Sequence, residues 1–392
     1  MSNTRFKILF LTRWYPPSSG TFAEKQVQAI SLYCDVVVLA ILPAEAGGKE
    51  KQYIREDHDP EFNIRVIRVF YKTDHKIFGT TKAVQFIRYS VALIRGCFYL
   101  FNKQENFDLV HVNILSRTAI PAILLKLFRG IPYIITEHWS RYFPENNTYK
   151  GFLRKMFTKF VVAHASAVTA VSHFLRKSMI DRGLVNQNFL VIPNTVNTDL
   201  FVPKGKQAVS GKKRIIHISG FNDKVKNTSG ILRIIDRISQ ERTDFECHFV
   251  GGKEPFREQA ERYASELGIL NKFVFFDGQF RGSDLVKAIQ QSDFLLMFSN
   301  YESFCTVIIE SMSCGKPVLS SNAGGIPEVL TTGSGMLTEV GDENAFLKRL
   351  HFMLDHYQEY DSQKMRKDIL DKFSYNVVGK QYYDLYKSVV QS

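Results

Sequence analysis

Short apolar runs rich in Val, Ile, Leu and Phe alternate with amphipathic stretches along this 392-residue chain, the pattern of β-α-β units that build parallel sheets. In the first half the runs predict strands over residues 7–11, 35–41, 64–69, 109–112, 133–136, 167–170 and 190–192. A polar stretch containing Lys and Gly, residues 202–213, breaks the rhythm and reads as a linker. The alternation restarts over 214–219, 245–250, 273–276, 294–298 and 318–320, and the chain closes in helices. The expectation is an α/β protein with two Rossmann-like, doubly wound domains, residues 1–200 and 201–372, and a C-terminal helix within 373–392. Sheets of this kind present ligands at the carboxyl ends of their strands, so the loops that follow strands are where chemistry is sought.

Charge sharpens the picture because it is unevenly placed. The net charge is +12, and residues 1–200 carry 26 basic and 15 acidic side chains against 25 and 24 in residues 201–392. A basic half faces something anionic: nucleic acid, phospholipid headgroups or a phosphorylated acceptor. Residues 149–160 mix Lys150, Arg154, Lys155 and Lys159 with Phe152, Leu153, Phe157 and Phe160, and residues 82–103 set Arg88 and Arg95 among Phe86, Tyr89, Phe98, Tyr99 and Phe101. Both read either as helices resting on a membrane surface or as core-facing helices with basic outer faces. The five cysteines, Cys34, Cys97, Cys247, Cys305 and Cys314, form no CxxC pair, which predicts buried thiols and neither disulfide nor zinc. The opening MSNTRFKILFLTRWYPP has an apolar run too short for a signal peptide or a span, so the expected location is the cytoplasm, with the inner face of the cytoplasmic membrane as the anionic surface at hand.

The densest chemistry lies in residues 301–330, YESFCTVIIESMSCGKPVLSSNAGGIPEVL. Glu302 and Glu310 stand eight residues apart across a predicted loop-to-helix junction, beside two glycine-rich turns. The N–H groups of a helix start attract phosphate, and a carboxylate one turn further in accepts hydrogen bonds from a ribose diol. Ser303 is the expected cap of that helix. On these residues the chain resembles the retaining glycosyltransferases of family 4 (glycosyl transferases group 1). The resemblance implies the GT-B architecture, two such domains facing a central cleft, with residues 373–386 in the helix that crosses back to the first domain. It also implies that Glu302 touches the donor sugar and Glu310 the nucleotide ribose, with Ser303, Phe304, Cys305 and Thr306 at the donor.

The same resemblance organises the other loops. In HISGFNDKVKNTSG a strand ends near Ser219 and a helix begins around Lys226 or Asn227. Lys226 matches the family lysine that meets the donor diphosphate, but Phe221 stands where the family has arginine, which leaves Lys224 or backbone N–H groups to supply the rest. Gly20 and Thr21, in a turn before a helix starting near Phe22, resemble the glycine loop that closes over the donor. His138, at the end of IPYIITEH and beside Glu137, matches the histidine that bonds a sugar hydroxyl. Gln279 and Phe280 fall where the family reads the base, and residues 251–256 bring backbone toward the nucleotide. Asn194 reads as a turn residue. Trp139, Arg141 and Tyr142 are acceptor-side candidates.

Breaking a glycosidic bond to a nucleotide leaves a diphosphate that gains negative charge, so positive groups must converge on it. The D-x-D pattern Asp57-His58-Asp59 is placed in a polar loop far in sequence from the other motifs, so no metal and no cofactor beyond the nucleotide-diphosphate sugar is expected. The expected acceptor is a glycan or lipid-linked saccharide in surface polysaccharide or lipopolysaccharide biosynthesis. Retention without an evident carboxylate nucleophile implies, from the family, attack on the face from which the diphosphate departs. Rival readings are a nucleotide-sugar epimerase, which needs no acceptor, and a sugar-binding protein without turnover. Nucleic-acid binding has charge in its favour but no recognisable reader module.

Overall fold

A computed structural model describes residues 5–16, 21–44, 52–72, 81–146, 148–204 and 211–391. The chain divides into two units: unit 1 comprises Met1–Val171, Leu175–Thr195 and Tyr375–Ser392, and unit 2 comprises Ser172–Phe174 and Val196–Ser374.

Unit 1 is built on eight strands, β1 (Lys7–Thr12), β2 (Asp35–Pro43), β3 (Gln52–Asp59), β4 (Ile64–Tyr71), β5 (Leu109–Asn113), β6 (Tyr133–Glu137), β7 (Ala167–Ala170) and β8 (Phe189–Val191). Their order is β3-β4-β2-β1-β5-β6-β7-β8. From β4 to β8 all pairs are parallel, with Ile8 set between Val36 and Leu109. LVHVN, YIITE and AVTA are buried throughout, because helices cover both faces of a parallel sheet. β3 corrects an expectation: Asp57, His58 and Asp59 end a strand that runs antiparallel to β4 at the sheet edge. Glu56 pairs with Arg65 and Asp57 with Arg68 across that ladder, so charge on the edge is neutralised between strands.

The C-terminal helix, Tyr375–Val390, belongs to this unit and contributes Val378, Tyr382, Leu385 and Tyr386 to the core formed by Ile8, Phe10, Val27 and Val38. It lies tight against the helix Thr21–Ser31, where a Cβ on Gly379 would sit 2.1 Å from the Ala29 carbonyl oxygen. No larger residue fits that approach.

Unit 2 has six strands, β9 (Lys213–Ser219), β10 (Phe245–Gly251), β11 (Val274–Gly278), β12 (Phe294–Met297), β13 (Val318–Ser321) and β14 (Gly335–Thr338). All are parallel, in the order β11-β10-β9-β12-β13-β14. Sheet order reverses direction between β9 and β12, and the loops leaving those two strands therefore diverge to open a crevice at their carboxyl ends. The helix Thr228–Ser239 covers the sheet with Ile231, Ile234, Ile235 and Ile238. Of the expected linker, residues 205–210 lie outside the described residues. Just before it, Phe201 is buried, and Arg366 holds the carbonyls of Thr198 and Phe201 at 2.9 and 2.8 Å, which ties this approach segment into unit 2.

Candidate active site

The crevice of unit 2 gathers the loop after β9 and the loop after β12. After β9 the chain makes a one-turn helix, Asp223–Lys226, and passes through Asn227 in the left-handed region before the next helix starts at Thr228. Lys226 thus ends a helical turn where the sequence suggested a beginning. Its ammonium group forms an ion pair and hydrogen bond with Glu302 Oε1. The same carboxylate oxygen accepts from Ser299 Oγ at 3.0 Å, and Ser299 O in turn accepts from Ser321 Oγ at 2.6 Å. Burial alone would lower the Lys226 pKa, but Glu302 outweighs it and the net direction is upward, so the lysine is charged at neutral pH.

Backbone constraints hold Glu302 in place. Its carbonyl accepts from Gly325 N at 3.0 Å, and a Cβ on Gly324, whose φ is +55°, would overlap that same oxygen at 2.0 Å. The glycine pair of SNAGGIPEV is therefore needed where two strand-end loops touch. The following helix, Thr306–Ser313, is entered through Cys305 with φ of +66° and with no side-chain cap. Ser303 is accordingly not its cap: Phe304 and Cys305 separate it from the helix, because the left-handed turn at Cys305 delays the start. Burial and the nearby Glu302 push the Cys305 thiol well above its ordinary value, so it is a packed thiol and not a nucleophile. Phe304 packs edge-on against Phe373, leaving its backbone as the part available to a ligand. Glu310 is buried in the first turns of the helix, contrary to the solvated face usual for a helix glutamate.

His217 braces the β9 loop from beneath. Its Nδ1 lies 2.9 Å from the Leu296 carbonyl, which can only accept, so Nδ1 carries the hydrogen and Nε2 accepts from Ser219 Oγ at 2.8 Å. Ser219 Oγ then accepts from Phe221 N at 3.1 Å. Burial lowers the His217 pKa to about 4, which keeps this chain of bonds neutral. Phe221 itself is buried, with φ of +59°, and packs on Phe249 and Phe276. The position where the resemblance implies arginine is thus a core position here. Lys224 is exposed, and Gln279 donates to the Gly252 carbonyl at 2.6 Å, bracing the loop after β10 beside half-buried Phe280.

Unit 1 has a polar site of another kind at the ends of β5 and β6. His138 Nε2 lies 3.0 Å from Asn113 Nδ2, whose amide also donates to Gln26 Oε1 at 2.7 Å. Gln26 Nε2 donates to Tyr382 OH at 2.5 Å, Thr136 Oγ1 meets His111 Nε2 at 2.7 Å, and His111 Nδ1 meets Tyr386 OH at 2.7 Å. Burial lowers His138 to about 3, against the opposing effect of Asn194 beside it, and burial also holds His111 neutral. Asn194, read from sequence as a turn residue, is therefore a neighbour of His138. Glu137 is a clasp: it accepts from the backbone N–H of His138 and Trp139 at 2.9 Å each, from Leu115 N at 3.2 Å and from Tyr142 OH at 3.1 Å. Burial raises its pKa, with Arg141 pulling the other way. Gly20 lies outside the described residues, and Thr21 opens the helix Thr21–Ser31.

Gln26, His111, Asn113, Glu137 and Tyr382 were not singled out by sequence reasoning as parts of this network. A signal existed in LVHVN and YIITE: a histidine or threonine inside a fully buried strand must find a partner.

Two family models match successive parts of the chain: a glycosyl transferase 4-like domain over residues 26–195 and glycosyl transferases group 1 over residues 203–369. N-acetyl-alpha-D-glucosaminyl L-malate synthase of Bacillus anthracis is 27% identical over 303 residues, 74% of this chain and 77% of that protein. A Bacillus subtilis glycosyltransferase named for teichuronic acid biosynthesis is 25% identical over 82% of each chain. The crystal structure of Anabaena HepE in complex with UDP and glucose shares the fold, with a TM-score of 0.74 at 18% identity over 98% of this chain and 100% of that one. With two parallel-sheet units of this topology and both family models matching in order, the chain belongs to the family 4-like glycosyltransferases.

Proposed function

We propose that the protein is a metal-independent, retaining transferase that moves a sugar from a nucleotide-diphosphate donor to a glycan or lipid-linked saccharide during surface polysaccharide or lipopolysaccharide biosynthesis, at the cytoplasmic face of a membrane. The observation that carries this reading is the partly buried Lys226–Glu302 pair at the switch point of unit 2, with Glu310 buried on the helix that follows. A cation there is matched to a diphosphate whose charge grows as the glycosidic bond breaks. The first N–H groups of Thr306–Ser313 add partial positive charge on the same side. Lys226 then shares its charge with the departing phosphate, Glu302 turns a carboxylate oxygen to the sugar, and Glu310 accepts from the ribose hydroxyls. His138 supplies a neutral imidazole for a sugar hydroxyl, and the departing phosphate takes the acceptor's proton. Lys224, Gln279, Phe280, Ser303, Phe304, Cys305 and Thr306 are donor contacts in this reading, several through backbone alone.

The complex of HepE with UDP and glucose favours a UDP-sugar as the first donor to try. A family of thermal shifts with UDP-, GDP- and other nucleotide sugars identifies the donor, because a ligand that binds the folded state raises its melting temperature. Turnover with that donor, a product of retained anomeric configuration, and full activity in EDTA are the expected results. Isomerisation of the donor with no acceptor present selects the epimerase instead. Binding without any turnover selects a sugar-binding protein. The membrane part of the proposal rests on the basic, aromatic helices around residues 82–103 and 149–160; among the described residues no helix is long and apolar enough to cross a membrane. Co-sedimentation with anionic vesicles at low salt is expected, and its absence removes the membrane from the reading while leaving the transferase.

A further inference from the structure

Three helices of unit 1, Thr81–Asn102, Ala119–Arg129 and Phe152–His164, form a surface unlike the rest of the unit. They are neighbours: Arg129 lies over the Phe101 ring at 4.5 Å, and Lys126 Nζ donates to the His164 carbonyl at 2.7 Å. Along the first helix Ile87, Val91, Ile94 and Phe98 recur at i, i+4, i+7 and i+11, which is one face, and that face is turned to solvent. On the second, Leu127 and Phe128 are 71% and 82% exposed, and on the third Phe152 is 78% exposed. Tyr89, by contrast, is buried, so the first helix has both a core face and an apolar outer face. Every charged residue on the three helices is Lys or Arg, with no Asp or Glu among them. Apolar stripes rimmed by one sign of charge mark a surface that leaves water for an anionic partner.

Between the first two helices this surface opens into a groove of about 310 Å³, lined by Leu93, Cys97, Phe98, Ile120, Leu124 and Phe128, with Arg129 at its edge. Ser90, the other polar group there, already donates to the Phe86 carbonyl at 2.9 Å. A peptide laid in such a groove would leave its N–H and C=O groups without partners, whereas a hydrocarbon chain leaves nothing unsatisfied. The volume is roughly twice that of an apolar cavity that admits benzene, room for a chain of about ten carbons. We propose that the groove seats one hydrocarbon chain of an anionic phospholipid, drawn partly out of the leaflet on which the three helices rest, with its headgroup phosphate near Arg129. The proposal rests on the membrane reading of the preceding subsection and names the lipid contact within it.

The test uses the full chain with vesicles of phosphatidylcholine, with and without phosphatidylglycerol that carries a diazirine on its acyl chain. After photolysis, label is expected on peptides containing Leu93–Cys97 and Ile120–Leu124, from the anionic vesicles at low salt. Cys97→Trp fills the groove and is expected to cut that label about tenfold, equivalent to losing the burial of roughly two methylenes, while co-sedimentation persists through the exposed side chains. If Cys97→Trp melts well below the native protein, Leu124→Trp at the rim replaces it with the same expectation. Label confined to the region of Phe152 and Phe160 in a protein that still binds vesicles overturns the groove and leaves the membrane reading standing. Groove label unaltered by the tryptophan also overturns it, since the chain is then only passing over the surface. Failure to bind anionic vesicles overturns both. A lipid-free dimer that Phe128→Glu dissolves gives the face to a second copy of the chain and overturns the proposal.

Discussion

The two strand-end sites solve the burial of polar groups in opposite ways. In unit 2 a full positive charge is held under cover by one carboxylate, itself braced by Ser299 and by backbone at Gly325. In unit 1 a longer set of groups around His138 is kept neutral, its members linked by hydrogen bonds through Asn113, Gln26 and Tyr382. An ion pair brings strong, local charge that a diphosphate can redirect, but its members depend on each other. A neutral network brings direction without charge, and its cost is spread over many bonds. The contrast teaches that the charged part of the proposed chemistry is concentrated in a few atoms of unit 2, whereas unit 1 orients.

The comparison breaks most visibly at Glu302. Glu302→Ala leaves Lys226 without its partner, and a loss of about 3 kcal/mol in stability is expected from denaturant midpoints, together with turnover reduced by about a hundredfold or more. Unchanged stability in that variant would mean that the pair behaves as a solvated surface contact. Lys226, with its pKa raised, contributes stability that is present below the ordinary lysine value and is lost only as pH climbs through the raised one, so the lysine itself brings no loss of stability at neutral pH.

Acid separates the two sites next. His138 and His217 fall to about 3 and about 4 when folded, so each unfolded chain takes up a proton near pH 6.5 that the folded chain refuses. Stability is fully present above pH 6.5 and declines as pH falls toward those lower values, by about 2 kcal/mol per histidine at pH 5. Melting curves between pH 5 and 8 check this, and His217→Asn should flatten the share that belongs to unit 2. A flat profile in the native protein would mean that these imidazoles are free to protonate.

Tyr382→Phe removes one hydroxyl from the neutral network and leaves the Gln26 amide short of an acceptor. A cost of about 1–2 kcal/mol is expected, with a change in the His138 imidazole NMR signals that a simple packing defect would not produce. The smallest effect belongs to Lys224→Ala: stability within about 0.5 kcal/mol, since the side chain is exposed, and donor affinity weaker by about twofold. Donor affinity unaltered across a range of salt would leave the phosphates to Lys226 and backbone N–H groups.

Much of this architecture was legible because fully buried parallel strands are written as uninterrupted apolar runs, as in β2 and β12. β3 was not, since QYIREDHD lies at an edge and carries its charges into cross-strand pairs, and β14 was not, since four residues opening on glycine make too little pattern. Around the site, Lys226 and Glu302 were named from motif spacing, but their contact spans 76 residues and follows from sheet order, which no local pattern encodes. The helix start at Thr306 was misjudged by two residues, because a left-handed cysteine leaves no capping signature. Phe221 was read as a lost charge, whereas its place in the aromatic core shows a loop whose backbone has turned inward. The His138 network was hidden for a related reason: its members come from residues 26, 111, 113, 136, 382 and 386.

The helix Tyr375–Val390 has an implication for biogenesis. Residues made only after all of unit 2 fill the interior of the unit that was begun first, with Tyr382 and Tyr386 supplying both bulk and hydroxyls to it. A nascent chain of the first two hundred residues therefore waits, incompletely packed, while all of unit 2 is synthesised. Truncation near residue 374 would be felt in the strands made first, and complete packing of the amino-terminal half is obliged to wait for residues 375–390.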